Sequence, residues 1–138
     1  MAEPYNLILK SDFSESEKVL SFVEHISRAE GLCEPLQERV KLALSEAATN
    51  AIVHGNREDK SKEVFIQAAV FPNQLIIKVR DEGEGFDPKR VPDPVEHENL
   101  LLPGGRGIFL IKEYCDSVSF EDEGRIVTLR FERKVKAR

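Results

Sequence analysis

Polar and hydrophobic positions alternate from Tyr5 to Lys10 (YNLILK), which predicts a short strand. The period then changes. Val19, Leu20, Phe22, Val23 and Ile26 recur at helical spacing and predict a first helix. Ser11 or Ser14 is placed to cap it, and Glu17 lies three residues after Ser14, a capping-box spacing. Gly31 is its stop signal. Pro35 suits the start of a second helix with an apolar stripe of Leu36, Val40, Ala43, Leu44, Ala47 and Ala51. Gly55-Asn56 ends that helix. Val64 to Phe71 and Leu75 to Val79 are β-rich, and Pro72-Asn73 between them makes the pair a hairpin.

From residue 82 to residue 104 the pattern is lost. Pro88, Pro92, Pro94 and Pro103 fall there, four of the chain's 7 prolines, together with Gly83, Gly85 and Gly104. A loop of about 20 residues inside a compact domain is uncommon, and is usually a functional lid or a disordered segment. A third helix follows from about Gly105 to Tyr114. Two strands, Ser117 to Phe120 and Ile126 to Phe131, flank a turn at Asp122-Glu123-Gly124, and the basic tail from Arg133 is expected to fray. The order β-α-α-β-β-loop-α-β-β predicts an α+β two-layer sandwich. About three helices would pack on one face of a mixed, mostly antiparallel five-stranded sheet.

Composition narrows the function. The 138 residues fit a single domain over 1–138. Lys and Arg total 20 against 25 Asp and Glu, a net charge of −5, so no direct nucleic-acid binding is expected. No apolar run is long enough to span a bilayer, and no secretory signal is expected at the N-terminus. Cys33 and Cys115 are read as two reduced thiols of a cytoplasmic protein. His25, His54 and His97 show no metal spacing.

Three stretches carry candidate chemistry. In LALSEAATNAIV, Glu46 and Asn50 are four apart and share a helix face. No Lys or Arg lies between Leu42 and Asn56, so that face lacks the paired charges of an ordinary solvent face. A carboxylate there can take a proton, and an amide oxygen can ligate a hard cation such as Mg²⁺. In VRDEGEGF, a strand runs into Asp81, and Gly83 and Gly85 let backbone pass close to a ligand. In PGGRGIFLIKEY, Gly104, Gly105 and Gly107 open a helix whose free N–H groups suit phosphate, with Arg106 adding a charge-assisted contact.

Taken in order, Glu46-Ala47-Ala48-Thr49-Asn50, then Asp81-Glu82-Gly83-Glu84-Gly85-Phe86, then Gly105-Arg106-Gly107 resemble the GHKL (Bergerat-fold) ATPase superfamily. Within it the chain looks like the bacterial anti-sigma factors that double as serine kinases. The resemblance covers nearly the whole chain and implies a role for each matched residue. Asn50 would ligate the Mg²⁺ that bridges the phosphates, and Glu46 would be the general base for the attacking hydroxyl. Asp81 would accept a hydrogen bond from the adenine amino group, which favours ATP over GTP. Gly83, Gly85, Gly105 and Gly107 would let a lid at about 86–104 fold over the phosphates, with Phe86 and Arg106 beside the nucleotide. One position departs from the pattern. Family members often carry Gly-Thr in the turn before the last strand, the threonine contacting the nucleotide. Here the stretch is Gly124-Arg125-Ile126-Val127-Thr128, so Arg125 takes the threonine's place and Thr128 is the remaining candidate.

The resemblance implies ATP and Mg²⁺ as cofactors. It implies an anti-anti-sigma (STAS-domain) protein and a sigma factor as partners, and a homodimer that uses the first strand and first helix. Two functions compete: γ-phosphoryl transfer to a partner serine, and nucleotide-gated partner binding without transfer. Simple ATP hydrolysis is a third.

Overall fold

The structure, a computed structural model, describes residues 3–85 and 105–133, the side chains of 105–109 excepted. The expected lid, with Phe86, and the Arg106 side chain lie outside the described residues. Strand β1 (Tyr5–Lys10) leads through a 3-10 turn to helix α1 (Ser16–Glu30). Helix α2 (Glu34–Thr49) continues into a π-helical turn, Asn50–Gly55. Then come β2 (Glu63–Val70), β3 (Gln74–Arg80), α3 (Gly105–Tyr114), β4 (Ser117–Glu121) and β5 (Ile126–Glu132).

The sheet order is β1-β2-β3-β5-β4. All four pairings are antiparallel, so the mixed character expected of the sheet is absent among the described residues. The reason is connectivity. Hairpins join β2 to β3 and β4 to β5, and β5 then adds beside β3 in the same alternating sense. Every second residue faces the helices: Leu9, Val64, Ile66, Leu75, Ile77 and Leu129 are all 0–1% exposed. Val19, Phe22, Val23 and Ile26 of α1 and Leu36, Val40 and Leu44 of α2 close the core from the other side. Ile111 seals α3 into it.

The capping expected of Ser11 and Ser14 is not what forms. Asp12 caps the 3-10 turn that precedes α1, its side chain accepting the Ser14 N–H at 3.0 Å, and α1 itself starts after Glu15 with no side-chain cap bond. Ser11 is fully buried and donates to the Lys62 carbonyl at 2.6 Å. Gly31 does stop α1, in the left-handed conformation at φ 68°. The thiols are free: Cys33 is exposed, and burial pushes Cys115 up to about 12. No helix among the described residues is long and apolar enough to cross a membrane.

Phe131 sits fully buried at the end of β5 opposite Leu75, where truncation leaves a cavity between sheet and helices. Phe131→Ala should cost about 3–5 kcal/mol in urea unfolding. A loss under about 1 kcal/mol would mean that this end of the core can collapse onto the gap.

Candidate active site

Helix α2 buries Ala43, Leu44, Ala47 and Ala48 and turns Ser45, Glu46, Thr49 and Asn50 outward as half-buried positions. Small alanines on the inner side let the helix lie close to its neighbours while the polar side stays accessible. Glu46 lies in the last turn of α2 and Asn50 opens the π turn, so the four-residue spacing brings both onto one face. Neither side chain has a hydrogen-bond partner among the described residues.

The π turn closes with the Asn56 N–H on the Ala51 carbonyl, a bond five residues back. One extra residue in the turn widens the helix and re-aims its end, a distortion frequent at functional sites. Here it carries Gly55 and Asn56 onto the end of β3. Gly55 lies against Asp81 so closely that a Cβ at Gly55 would collide with the Asp81 carboxylate, Oδ2 first. A Cβ at Gly83 would collide with the Gly55 carbonyl. Two glycines and one aspartate thus interlock with no room for a methyl group.

Asp81 is 9% exposed. Its Oδ1 accepts the Gly83 N–H at 2.8 Å, while Oδ2 accepts no hydrogen bond among the described residues. Burial raises the carboxyl above the ordinary aspartate range. The Gly83 N–H and the charges of Arg125 and Lys62 work against that rise, and Asp122 adds to it. The result is a desolvated carboxylate with one oxygen tied and the other without a partner among the described residues, a directional acceptor for an N–H donor.

Asn56 fixes this corner. It is 1% exposed and uses its whole amide: Nδ2 donates to Ser11 Oγ at 2.8 Å and to the Glu63 carbonyl at 3.0 Å, and Oδ1 accepts the Glu82 N–H at 2.7 Å. One side chain therefore joins the ends of β1, β2 and β3. The sequence marks Asn56 only as helix punctuation, because nothing local says that it will be buried.

The last candidates divide. Gly85 has φ 86° and packs on the β4–β5 turn, where a Cβ would stand 2.6 Å from the Glu123 carbonyl oxygen. Helix α3 begins at Gly105, as expected, and packs along α2. Asp116, just past α3, lies 3.7 Å from Arg39 in the first half of α2. Thr128 does not join them. It pairs with Lys78 and Ser119 on the outer face of the sheet, between the core-facing Val127 and Leu129, so the nucleotide contact expected of it has no geometric basis. Strand parity is the cause: Asp81 follows the inward-facing Val79, and Thr128 stands opposite outward-facing Lys78.

A two-layer α+β domain with an acceptor carboxylate at a glycine-lined strand end, and a Glu–Asn pair on the facing helix, is a GHKL-type domain. The chain belongs to the histidine kinase-like ATPase domain family, whose model matches residues 9–131. It is 36% identical over 95 residues to the serine-protein kinase RsbW of Bacillus subtilis strain 168, covering 64% of this chain and 59% of that protein. With the serine-protein kinase RsbW of Bacillus licheniformis it shares 35% over 99 residues, 67% of this chain and 62% of that protein. The chain thus spans about three-fifths of the length of these curated relatives. The crystal structure of the RsbU and RsbW domains of Rv1364c from Mycobacterium tuberculosis has the same fold, with a TM-score of 0.67 at 14% identity. That match covers 96% of this chain and 32% of the other.

Because the folded state holds the Asp81 proton more tightly than the unfolded state, stability falls as pH rises through the raised carboxyl range. Above that range the buried charge is a constant cost. Asp81→Asn keeps the acceptor for Gly83 and removes the charge. Near pH 7 its Tm, without ligand, should exceed wild type by a few degrees, and the gap should close below the ordinary aspartate range. A variant that melts below wild type near neutrality would show that the charge is stabilised rather than tolerated.

Proposed function

We propose that this chain is an ATP-binding serine-protein kinase of the anti-sigma type. It would transfer the ATP γ-phosphoryl to a serine of an anti-anti-sigma (STAS-like) protein and sequester a sigma factor in alternation. The observation that carries the reading is the Oδ2 of buried Asp81, packed against Gly55 and accepting no hydrogen bond among the described residues. The names of the curated relatives support the reading as well.

The roles follow from the side chains. Asp81 accepts from the exocyclic amine of adenine. Guanine offers a carbonyl oxygen at that position, which a carboxylate repels. Gly55 and Gly83 let the base approach the backbone. The Asn50 amide oxygen suits Mg²⁺, a hard cation held mainly by phosphates and water. The amide is a single protein oxygen, so the other ligands of such an ion would come from the nucleotide and water. When bound, Mg²⁺ neutralises phosphate charge. Glu46, half-buried and without a partner among the described residues, takes the proton of the partner's serine hydroxyl as the oxygen attacks. The glycines that open α3 present free N–H groups for phosphate oxygens. Partner switching of this kind is a cytoplasmic function.

A second copy of the chain would pair through β1. This strand is a sheet edge, and Ile8 on it is 54% exposed, with Phe13 just beyond at 56%. Ile8→Lys should shift sedimentation from dimer to monomer without changing the fold. A wild type that sediments as a monomer at high concentration removes the dimer.

Two assays test the kinase. Mg-ATP at about 100 times its dissociation constant should stabilise wild type by roughly 2.7 kcal/mol, seen as a rise in Tm. Mg-GTP should not, and Asp81→Asn should lose the response. Transfer of labelled phosphate from ATP to a STAS-domain protein should fall at least about a hundredfold in Glu46→Gln, the usual worth of a general base. Undiminished transfer by that variant would sink the role given to Glu46.

A further inference from the structure

We propose that Arg125 is the positioning residue of the nucleotide site: its guanidinium forks onto the carbonyls of Gly83 and Glu84 and locks the loop that carries Asp81. The Nε donates to the Gly83 carbonyl at 2.7 Å, and Nη2 donates to the Glu84 carbonyl at 2.7 Å. The backbone of the same residue adds a third tie, since the Asp81 N–H donates to the Arg125 carbonyl at 3.0 Å. One residue thus holds positions 81, 83 and 84.

The β4–β5 turn is built to deliver it. Asp122, Glu123 and Gly124 all have positive φ, at 51°, 55° and 83°. The Gly124 N–H bonds back to the Glu121 carbonyl and the Arg125 N–H to the Asp122 carbonyl, both at 3.1 Å. This tight left-handed turn throws the Arg125 side chain across to the glycine loop, where it is 25% exposed. Nη1 is met by the Asp122 carbonyl at 3.2 Å and by Glu123 Oε2 at 3.3 Å. The turn's own acids therefore balance the guanidinium charge. What Arg125 delivers to the loop is geometry: two donors in a planar fork, which neither a threonine nor a lysine supplies. Gly85 fits this arrangement. A Cβ there would stand 2.6 Å from the Glu123 carbonyl oxygen and 3.3 Å from the Arg125 guanidinium carbon, so the loop is packed onto the turn.

The functional half of this inference rests on the ATP reading; the clamp itself does not. Hydrogen exchange without ligand reads the clamp through the Gly83 N–H, which is bonded to Asp81 Oδ1. In Arg125→Ala that amide should exchange about tenfold faster or more, the loss expected for charge-assisted hydrogen bonds. The ladder amides of β3 and β5 should keep their protection and so report an intact fold. Arg125→Lys, with a single ammonium, should fall between. ATP affinity measured by calorimetry should drop about tenfold or more in Arg125→Ala and partly recover in Arg125→Lys. Unchanged Gly83 exchange in Arg125→Ala overturns the clamp. Faster exchange with unchanged ATP affinity overturns its service to the nucleotide. A wild type that binds no ATP overturns the ATP reading, and the exchange result then decides the clamp alone.

Discussion

Helices and sheet come into close contact where Gly55 meets Asp81. The Gly55 Cα faces a carboxylate, and the next residue that could intervene, Gly83, faces the Gly55 carbonyl. Side chains of any size would hold the two layers apart there. With none present, the end of the second helix reaches the end of the third strand. The α2 alanines serve the same end further back, keeping Glu46 and Asn50 close to the sheet instead of lifted away by larger residues. The walls of the site are therefore backbone.

Such a corner has a cost that the rest of the structure offsets. Asp81 is taken out of water with one oxygen unpaired among the described residues, which is unfavourable unless its surroundings are fixed. Asn56 fixes them from the helix side and Arg125 from the strand side, and neither leaves its polar atoms idle. The π turn has a part in this too. An ordinary α-helical end would bring residues 55 and 56 round by a different angle, and the Asn56 amide would miss the Glu82 N–H. A preformed acceptor of this kind lowers stability before any ligand arrives and needs little rearrangement when one does.

How much of this is legible in the sequence divides along a physical line. Local chemistry is readable. The alternation in YNLILK marks β1 at its observed bounds, Gly31 marks the end of α1, and Gly105 to Tyr114 marks α3. The Glu46–Asn50 pair is readable because helical spacing is fixed. Which residue ends up inside is not readable in this way. Ser11 looks like a cap and is instead buried in a three-way junction with Asn56 and Lys62. Thr128 looks like a nucleotide contact until register pairs it with Lys78 and turns it to the outer face. Both misreadings concern short polar side chains, whose local and long-range uses look identical in one dimension.

Arg125 shows the same limit from the other direction. Read along the chain it is a large cation where a small hydroxyl is expected, and that reads as interference with a ligand. In three dimensions the side chain is committed to protein partners. It reaches from the turn to the glycine loop, where its donors meet carbonyls, and its charge meets Asp122 and Glu123. A threonine acts on a ligand directly, through one hydroxyl. An arginine placed here acts through the loop, and its effect is felt by whatever the Asp81 carboxylate binds. The substitution thus exchanges a contact for a constraint. A constraint of this kind holds the loop in one geometry before binding and limits its freedom to adapt to a different base.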